Sequence, residues 1–218
     1  ARKSRGLGDV YKRQFSVNKI ANGLSQNDFN ELIEDKNKPF FDRAAQGRYS
    51  PASTIKPAIG LFGLENNIID WDFTIDDPGY FELPEDGRIY RGWKKGGHGK
   101  INLQDAIIES SNTFFFSLAY KSEIEELIKH LSYFGFGRNV CLDCFLPDNG
   151  LLPNPAWKMN TLNFGWFKGD TVNLGVGQGY MSATPLQLAY YSAFIANKGA
   201  LNKFSFVQDN KTLPKDCL

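Results

Sequence analysis

The sequence predicts a mixed α/β (α+β) protein whose helices carry most of the core. Three observations lead there. Apolar helical segments with recognisable caps recur between Ser25 and Gly199. One stretch, residues 70–101, is rich in Gly, Pro and aromatics and reads as turns joining short strands. The chain has 218 residues, 42% hydrophobic and 22% charged, which suits one large domain or a substantial piece of one. A net charge of +1 offers no overall field for nucleic acid or an anionic membrane. No apolar run approaches the roughly 20 residues of a membrane-spanning helix. Cys141, Cys144 and Cys217 form no even framework, so the redox compartment is not readable from them.

Residues 1–14 are basic and aperiodic and read like a translated adapter, so the domain is expected to start near Phe15, as a fragment covering 15–218. Ser25 caps a short helix to Glu34 with Phe29, Leu32 and Ile33 on its apolar face. A second helix, apolar on most sides and therefore buried, runs from the Ser53 region to about Asn66, with Gly60 and Gly63 permitting close packing. In the strand region, Asp77-Pro78-Gly79 and Glu85-Asp86-Gly87 mark turns. Trp93-Lys94-Lys95 with His98 reads either as a phosphate or nucleic-acid contact or as a solvated loop with one structural Trp and His.

Asn102 caps a helix to Glu109, Ser110-Ser111-Asn112 interrupts it, and Thr113 to Lys121 resumes. Ser122-x-x-Glu125 reads as a capping box opening an amphipathic helix stopped at Gly135, with His130 near its C-terminus in a dipole contact. Cys141-x-x-Cys144 lacks a second Cys/His pair and a βαβ context, and reads as packing by chance. Residues 147–166 carry few regular signals. Val172, Leu174 and Val176 alternate like a strand that ends in the Gly-rich turn Gly177-Gln178-Gly179. Thr184-Pro185-Leu186-Gln187 is a complete helix start, and Gly199 is the stop.

The chemistry centres on Tyr49-Ser50-Pro51-Ala52-Ser53-Thr54-Ile55-Lys56-Pro57. Ser53 and Lys56 are three residues apart, which puts both on one face of a helix. A serine hydroxyl needs an adjacent base, and lysine serves only when burial or a helix N-terminus lowers its pKa. Either Ser53 or Thr54 caps this helix, and Pro57 biases Lys56 away from α geometry, so the first turn is expected to be tight or irregular. Alone, S-x-x-K also describes a serine cap followed by an exposed lysine.

Three features stand in one order: Ser53-Thr54-Ile55-Lys56, then Ser110-Ser111-Asn112, then Gly177-Gln178-Gly179-Tyr180 with Ala183-Thr184-Pro185-Leu186-Gln187. With Arg43-Ala44-x-Gln46-Gly47-x-Tyr49, Trp93-Lys94-Lys95-x-x-His98-Gly99 and Asn112-Thr113-Phe114-Phe115, the chain resembles the transpeptidase domain of class B penicillin-binding proteins, the elongation-type group in particular. The resemblance implies a serine β-lactamase/D,D-transpeptidase-like fold with the helical lobe mostly present and the antiparallel sheet incomplete. It implies Ser53 as acylated nucleophile, Lys56 as proton acceptor, Ser110 as proton relay to the leaving amine, and Asn112 as a holder of Lys56 or substrate. It implies peptidoglycan stem peptides and β-lactams as partners, elongation-machinery membrane proteins in the full-length protein, no nucleic acid, no cofactor, and a place on the periplasmic side of the bacterial inner membrane with the anchor outside this piece.

Departures accompany the likeness. The Lys-Thr/Ser-Gly motif is absent, since Lys211-Thr212-Leu213 lacks the glycine. With its sheet incomplete, the helix at 185–198 is expected to be under-covered. Ala52 stands where the family often has glycine, a mild change. Some members bind zinc with two Asp, a His and a Cys; here Asp77 and His98 match while Gly92 and Ser111 stand at the other two positions, so no zinc is expected. A serine β-lactamase and a non-catalytic β-lactam sensor on the same fold are the competing readings.

Overall fold

The computed structural model describes residues 16–206; segment 1–14, Lys211-Thr212-Leu213 and Cys217 lie outside the described residues. The helices are α1 (Val17–Ala21), α2 (Gln26–Glu34), α3 (Lys56–Glu65), α4 (Leu103–Ile108), α5 (Asn112–Tyr120), α6 (Ile124–Tyr133), α7 (Pro155–Leu162), α8 (Lys168–Leu174) and α9 (Pro185–Ala196). A 3-10 turn, Ala52–Ile55, leads into α3. Strands β1 (Thr74–Asp77), β2 (Tyr80–Glu82), β3 (Ile89–Arg91) and β4 (Gly99–Asn102) follow α3. They form two antiparallel ribbons, β1 with β4 and β2 with β3, in which Thr74 faces Asn102 and Tyr80 faces Arg91. The α+β class is as expected, with a small sheet.

The core gathers on α5, because Phe114, Phe115, Phe116, Leu118 and Ala119 leave it no polar side. It touches α3, α4, α8 and the strands β1 to β3. Gly60 and Gly63 let α3 approach Leu103 of α4 and Leu118 of α5: a Cβ at either glycine would sit 2.9 Å from a leucine methyl. Ser111 caps α5 by accepting from Phe114 N–H, and Asn102 caps α4 by accepting from Asp105 N–H.

The start of α9 is the main tie among the loops. Thr184 Oγ1 accepts from Gln187 N–H, and Gln187 Oε1 accepts from Thr184 N–H. The same fully buried Gln187 donates from Nε2 to the carbonyls of Gly135, Arg138 and Asn149. One side chain therefore closes a cap and joins two distant loops.

Six readings need correction. Ser122 does not cap α6; its buried hydroxyl donates to Leu118 O, and Glu123 stands at the N-cap with no side-chain bond. The strand expected over Val172–Val176 is the helix α8 and its end, because packing on α5 overrides a β-branched alternation. Residues 147–166 contain α7, begun by Asn154 accepting from Trp157 N–H and by Pro155 in the first turn, and tied to α8 by the buried Lys158–Asp170 pair at 2.6 Å. Cys141 and Cys144 are joined as a disulfide. His130 does not rest on its own helix end: burial pushes its pKa down, and a ring nitrogen bonds Ala58 O at 2.9 Å. Helix α9 is better covered than expected, with Leu186, Tyr190, Tyr191 and Phe194 buried. Its Phe194–Ile195–Lys198 flank opens on an apolar cavity of about 510 Å³, shared with Leu61 and Glu65 at the far end of α3.

Gln187→Ala should lower stability by roughly 2–4 kcal/mol, since it strips a cap and leaves buried carbonyls unpaired. Chemical denaturation of the two proteins measures the difference.

Candidate active site

The loop before α3 is pinned from outside itself. Tyr49 N–H donates to Ala183 O and Tyr49 O accepts in return from Ala183 N–H, which anchors the loop beside the start of α9. Two donors, Ser50 Oγ–H at 2.6 Å and Ala52 N–H at 2.9 Å, converge on the carbonyl of Gly177. Gly177 has φ 66°, and a Cβ there would lie 2.3 Å from Ala52 O. The Gly-rich turn is thus a buttress under the serine loop. Ala52 has φ 48°, left-handed for a residue with a Cβ, which is why glycine is favoured at this position and why alanine there is more than a mild change.

Neither Ser53 nor Thr54 caps α3: Thr54 Oγ–H donates back to Pro51 O, and Ile55 occupies the N-cap without a side-chain bond. Lys56 is αR, at φ −53°, despite the proline that follows. The expected irregular first turn is the 3-10 turn. Ser53 stands exposed on it, and among the described residues its Oγ makes no hydrogen bond. Its backbone N–H likewise has no backbone acceptor.

Lys56 is 2% exposed, at the head of an apolar helix. Its Nζ donates to Ser110 O at 2.8 Å, Ser110 Oγ at 3.1 Å and Asn112 Oδ1 at 2.8 Å, and lies 5.4 Å from the Phe115 ring centre. Burial lowers its pKa from 10.5 to about 8. Ser110 has φ 53°, a second left-handed residue with a side chain, at the corner between α4 and α5. Of the four expected site residues, the fold therefore clusters Lys56, Ser110 and Asn112 around one nitrogen. Ser53 is a turn away, exposed, without a direct bond to that nitrogen.

The penicillin binding protein transpeptidase domain family matches residues 10–216. The chain belongs to that family. It is 43% identical over 194 residues to the peptidoglycan D,D-transpeptidase MrdA of Acinetobacter baumannii, and 35% identical over 212 residues to MrdA of Escherichia coli K12. These alignments cover 89% and 95% of this chain but 29% and 34% of the relatives, so the chain spans about a third of their length. The structure of penicillin-binding protein 2 from Helicobacter pylori superposes with a TM-score of 0.85 at 36% identity, over 94% of this chain and 38% of that one. Pseudomonas aeruginosa PBP2 in complex with WCK 5153 gives 0.82 at 38%, over 90% and 46%.

The family position for zinc holds something else here. Asp77, 1% exposed, accepts at Oδ2 from Ser111 Oγ–H at 2.7 Å and lies 2.7 Å from His98 Nδ1; its Oδ1 accepts from Gly79 N–H. Burial alone would raise this carboxyl's pKa, but the bonds from Ser111 and His98, with the nearby Thr113 hydroxyl and Gly79 N–H, outweigh it and lower it. Thr113 Oγ1 nevertheless closes no hydrogen bond and, like His98 Nε2, is buried without a partner. Gly92 offers no donor and Ser111 offers a hydroxyl already engaged. These residues do not fit zinc. Among the described residues, the group of three His, Cys, Asp or Glu close enough to share an ion is Cys141, Asp143 and Cys144, whose thiols are in the disulfide. Trp93 stays exposed, donates to Glu109 O and meets His98 edge-on, as a structural pair.

Sequence reasoning missed Gly177 as the loop's buttress, though the glycine in a turn was a visible signal, and missed the bond from the Ser111 hydroxyl to Asp77. Gly177→Ala adds a Cβ into the Ala52 backbone at positive φ and should cost roughly 2–4 kcal/mol while displacing Ser53. Thermal unfolding, together with reaction of Ser53 towards a fluorescent penicillin, reads both effects.

Proposed function

We propose that this chain carries the acyl-transfer centre of a peptidoglycan D,D-transpeptidase of the elongation type. The observation that carries the reading is an exposed serine one turn ahead of a buried lysine whose nitrogen is held by Ser110 and Asn112. Lys56, with a pKa of about 8, is roughly one part in ten neutral at pH 7. The neutral amine accepts the Ser53 proton as Oγ attacks the carbonyl of the penultimate D-Ala. The oxyanion takes the unpartnered Ser53 N–H. The C–N bond then breaks, and the terminal D-Ala leaves as an amine protonated through the Ser110 hydroxyl, which Lys56 reprotonates. An ester remains on Ser53. The amine of a neighbouring stem attacks it, forming the cross-link and freeing Ser53; water in its place gives carboxypeptidase hydrolysis. A β-lactam acylates the same oxygen.

The periplasmic placement is supported by the Cys141–Cys144 disulfide, a bond that persists in oxidising compartments such as the bacterial periplasm. Among the described residues no helix is long and apolar enough to cross a membrane. An elongation-machinery partner is supported by the solved complex of PBP2 with MreC from Helicobacter pylori.

The test is a fluorescent penicillin applied to the natural gene product that encodes this chain. A long-lived adduct that Ser53→Ala abolishes supports the proposal. Rapid turnover of the adduct indicates a β-lactamase, and inertness towards a stem-peptide thioester indicates a sensor. The acylation rate should also rise with pH through about 8, because the reactive form of Lys56 is the deprotonated one. A flat profile across that range removes Lys56 as the base.

A further inference from the structure

Ser110, Ser111 and Asn112 point in two directions. Ser110 and Asn112 supply all three acceptors around Lys56 Nζ. The residue between them, fully buried, turns its hydroxyl away from the lysine to Asp77 at 2.7 Å. The same Ser111 oxygen accepts from Phe114 N–H, the first turn of α5. The Ser111 hydroxyl is therefore used as donor and acceptor at once. Asp77 in turn is locked by Gly79 N–H and by His98, whose backbone N–H also donates to Asp77 O.

We propose that Asp77 is a positioning residue for the serine–lysine centre: a metal-free carboxylate hub that, through Ser111, holds the Ser110–Asn112 corner against Lys56. It takes the place of the metal-held junction found in some members of the family. The physical case rests on what the corner must resist. Ser110 is held at φ 53°, a conformation that costs roughly 1–2 kcal/mol for a residue with a side chain. Ser110 N–H donates to Ile107 O at 3.2 Å and Ser111 N–H to Ala106 O at 2.9 Å, which closes the end of α4 around this residue but ties the corner to nothing outside that helix. Ser111 Oγ–H on a buried carboxylate is a charge-assisted bond, stronger than a neutral one, and it sits one residue from the strained position. Its loss removes the corner's tie to Asp77 of β1, and both neighbours of Ser111 are Lys56 ligands. Position 92 completes the exchange. A Cβ there would meet Gly79 O at 3.2 Å and lie 3.6 Å from the buried, unpartnered Thr113 hydroxyl, and glycine places no ligand in that space.

This inference rests on the acyl-transfer reading, and one experiment separates the two. In the natural gene product, the acylation step of a fluorescent penicillin is resolved into its binding constant and its first-order rate. No acylation of the unaltered protein sinks the acyl-transfer reading itself. Given acylation, Asp77→Asn and Ser111→Ala should each slow the first-order step by about tenfold to a hundredfold with little change in binding, as misplaced catalytic groups do. Ser122→Ala, which removes a buried bond to Leu118 O at the opposite end of α5 from Asn112, should leave that rate unchanged in the folded protein. The unaltered protein should carry no stoichiometric zinc and keep its rate in chelator. The double variant Gly92→Asp/Ser111→Cys should bind one zinc and lose rate to chelator. Natural rates in folded Asp77→Asn or Ser111→Ala overturn the proposal. Stoichiometric zinc or chelator sensitivity in the unaltered protein overturns it as well, and that arm stands even where the variants fail to fold.

Discussion

A buried ammonium at the head of an apolar helix sets the geometry of this centre. Lys56 has no polar neighbour on α3 to share its charge, and an unpaired buried cation costs several kcal/mol. Its three acceptors come from a corner more than fifty residues away, with sequence separations of 54 and 56. Satisfying one nitrogen therefore brings the starts of α3 and α5 together. Gly63 lets the two helices approach closely, since a Cβ there would lie 2.9 Å from a Leu118 methyl. The same burial lowers the lysine pKa, so close packing and the shifted titration share one cause.

The two sides of the centre are braced independently. On the serine side, Gly177 O gathers Ser50 and Ala52, and Ala183 pairs with Tyr49. On the lysine side, Asp77 holds Ser111. Each brace sits beside a left-handed residue, Ala52 or Ser110. Strained backbone of this kind persists only where surrounding bonds over-determine it, and it collects where groups must be aimed. Ser53 itself is left exposed and unbonded, which suits a group that meets an incoming carbonyl.

Much of the fold was legible because its signals are local. Asn102, Ser111 and Thr184 each cap a helix with a bond spanning three residues, and each stands in the sequence next to an apolar run. The turns at Pro78-Gly79 and Asp86-Gly87 were equally plain, since few residues accept their dihedrals. The start of α7 was missed, because Asn154-Pro155 has the same form as Thr184-Pro185 but lacks an apolar run behind it. Where reading failed, a distant partner had decided. Ser122 could cap forwards or bond backwards to Leu118, and burial chose the second. The alternation at 172–176 became helical because α5 offered a surface for Val172 and Leu174. Nothing in C-x-x-C states whether its sulfurs face each other; here they do.

The candidate site divides along the same line. The residues by themselves determined that Ser53 and Lys56 share a helix face, that Ser110-Ser111-Asn112 breaks one helix and starts another, and that Gln187 closes its own cap. Those relations span three or four residues and follow from the pitch of the helix. Tertiary structure alone decided that Lys56 gives all its bonds to the corner rather than to Ser53, that Gly177 carries the serine loop across a separation of 127, and that Asp77 reaches Ser111 across 34. Contacts at that range are not encoded by any local pattern. They exist only once the apolar faces of α3, α5 and α8 have packed and left each buried polar group one place to find its partner.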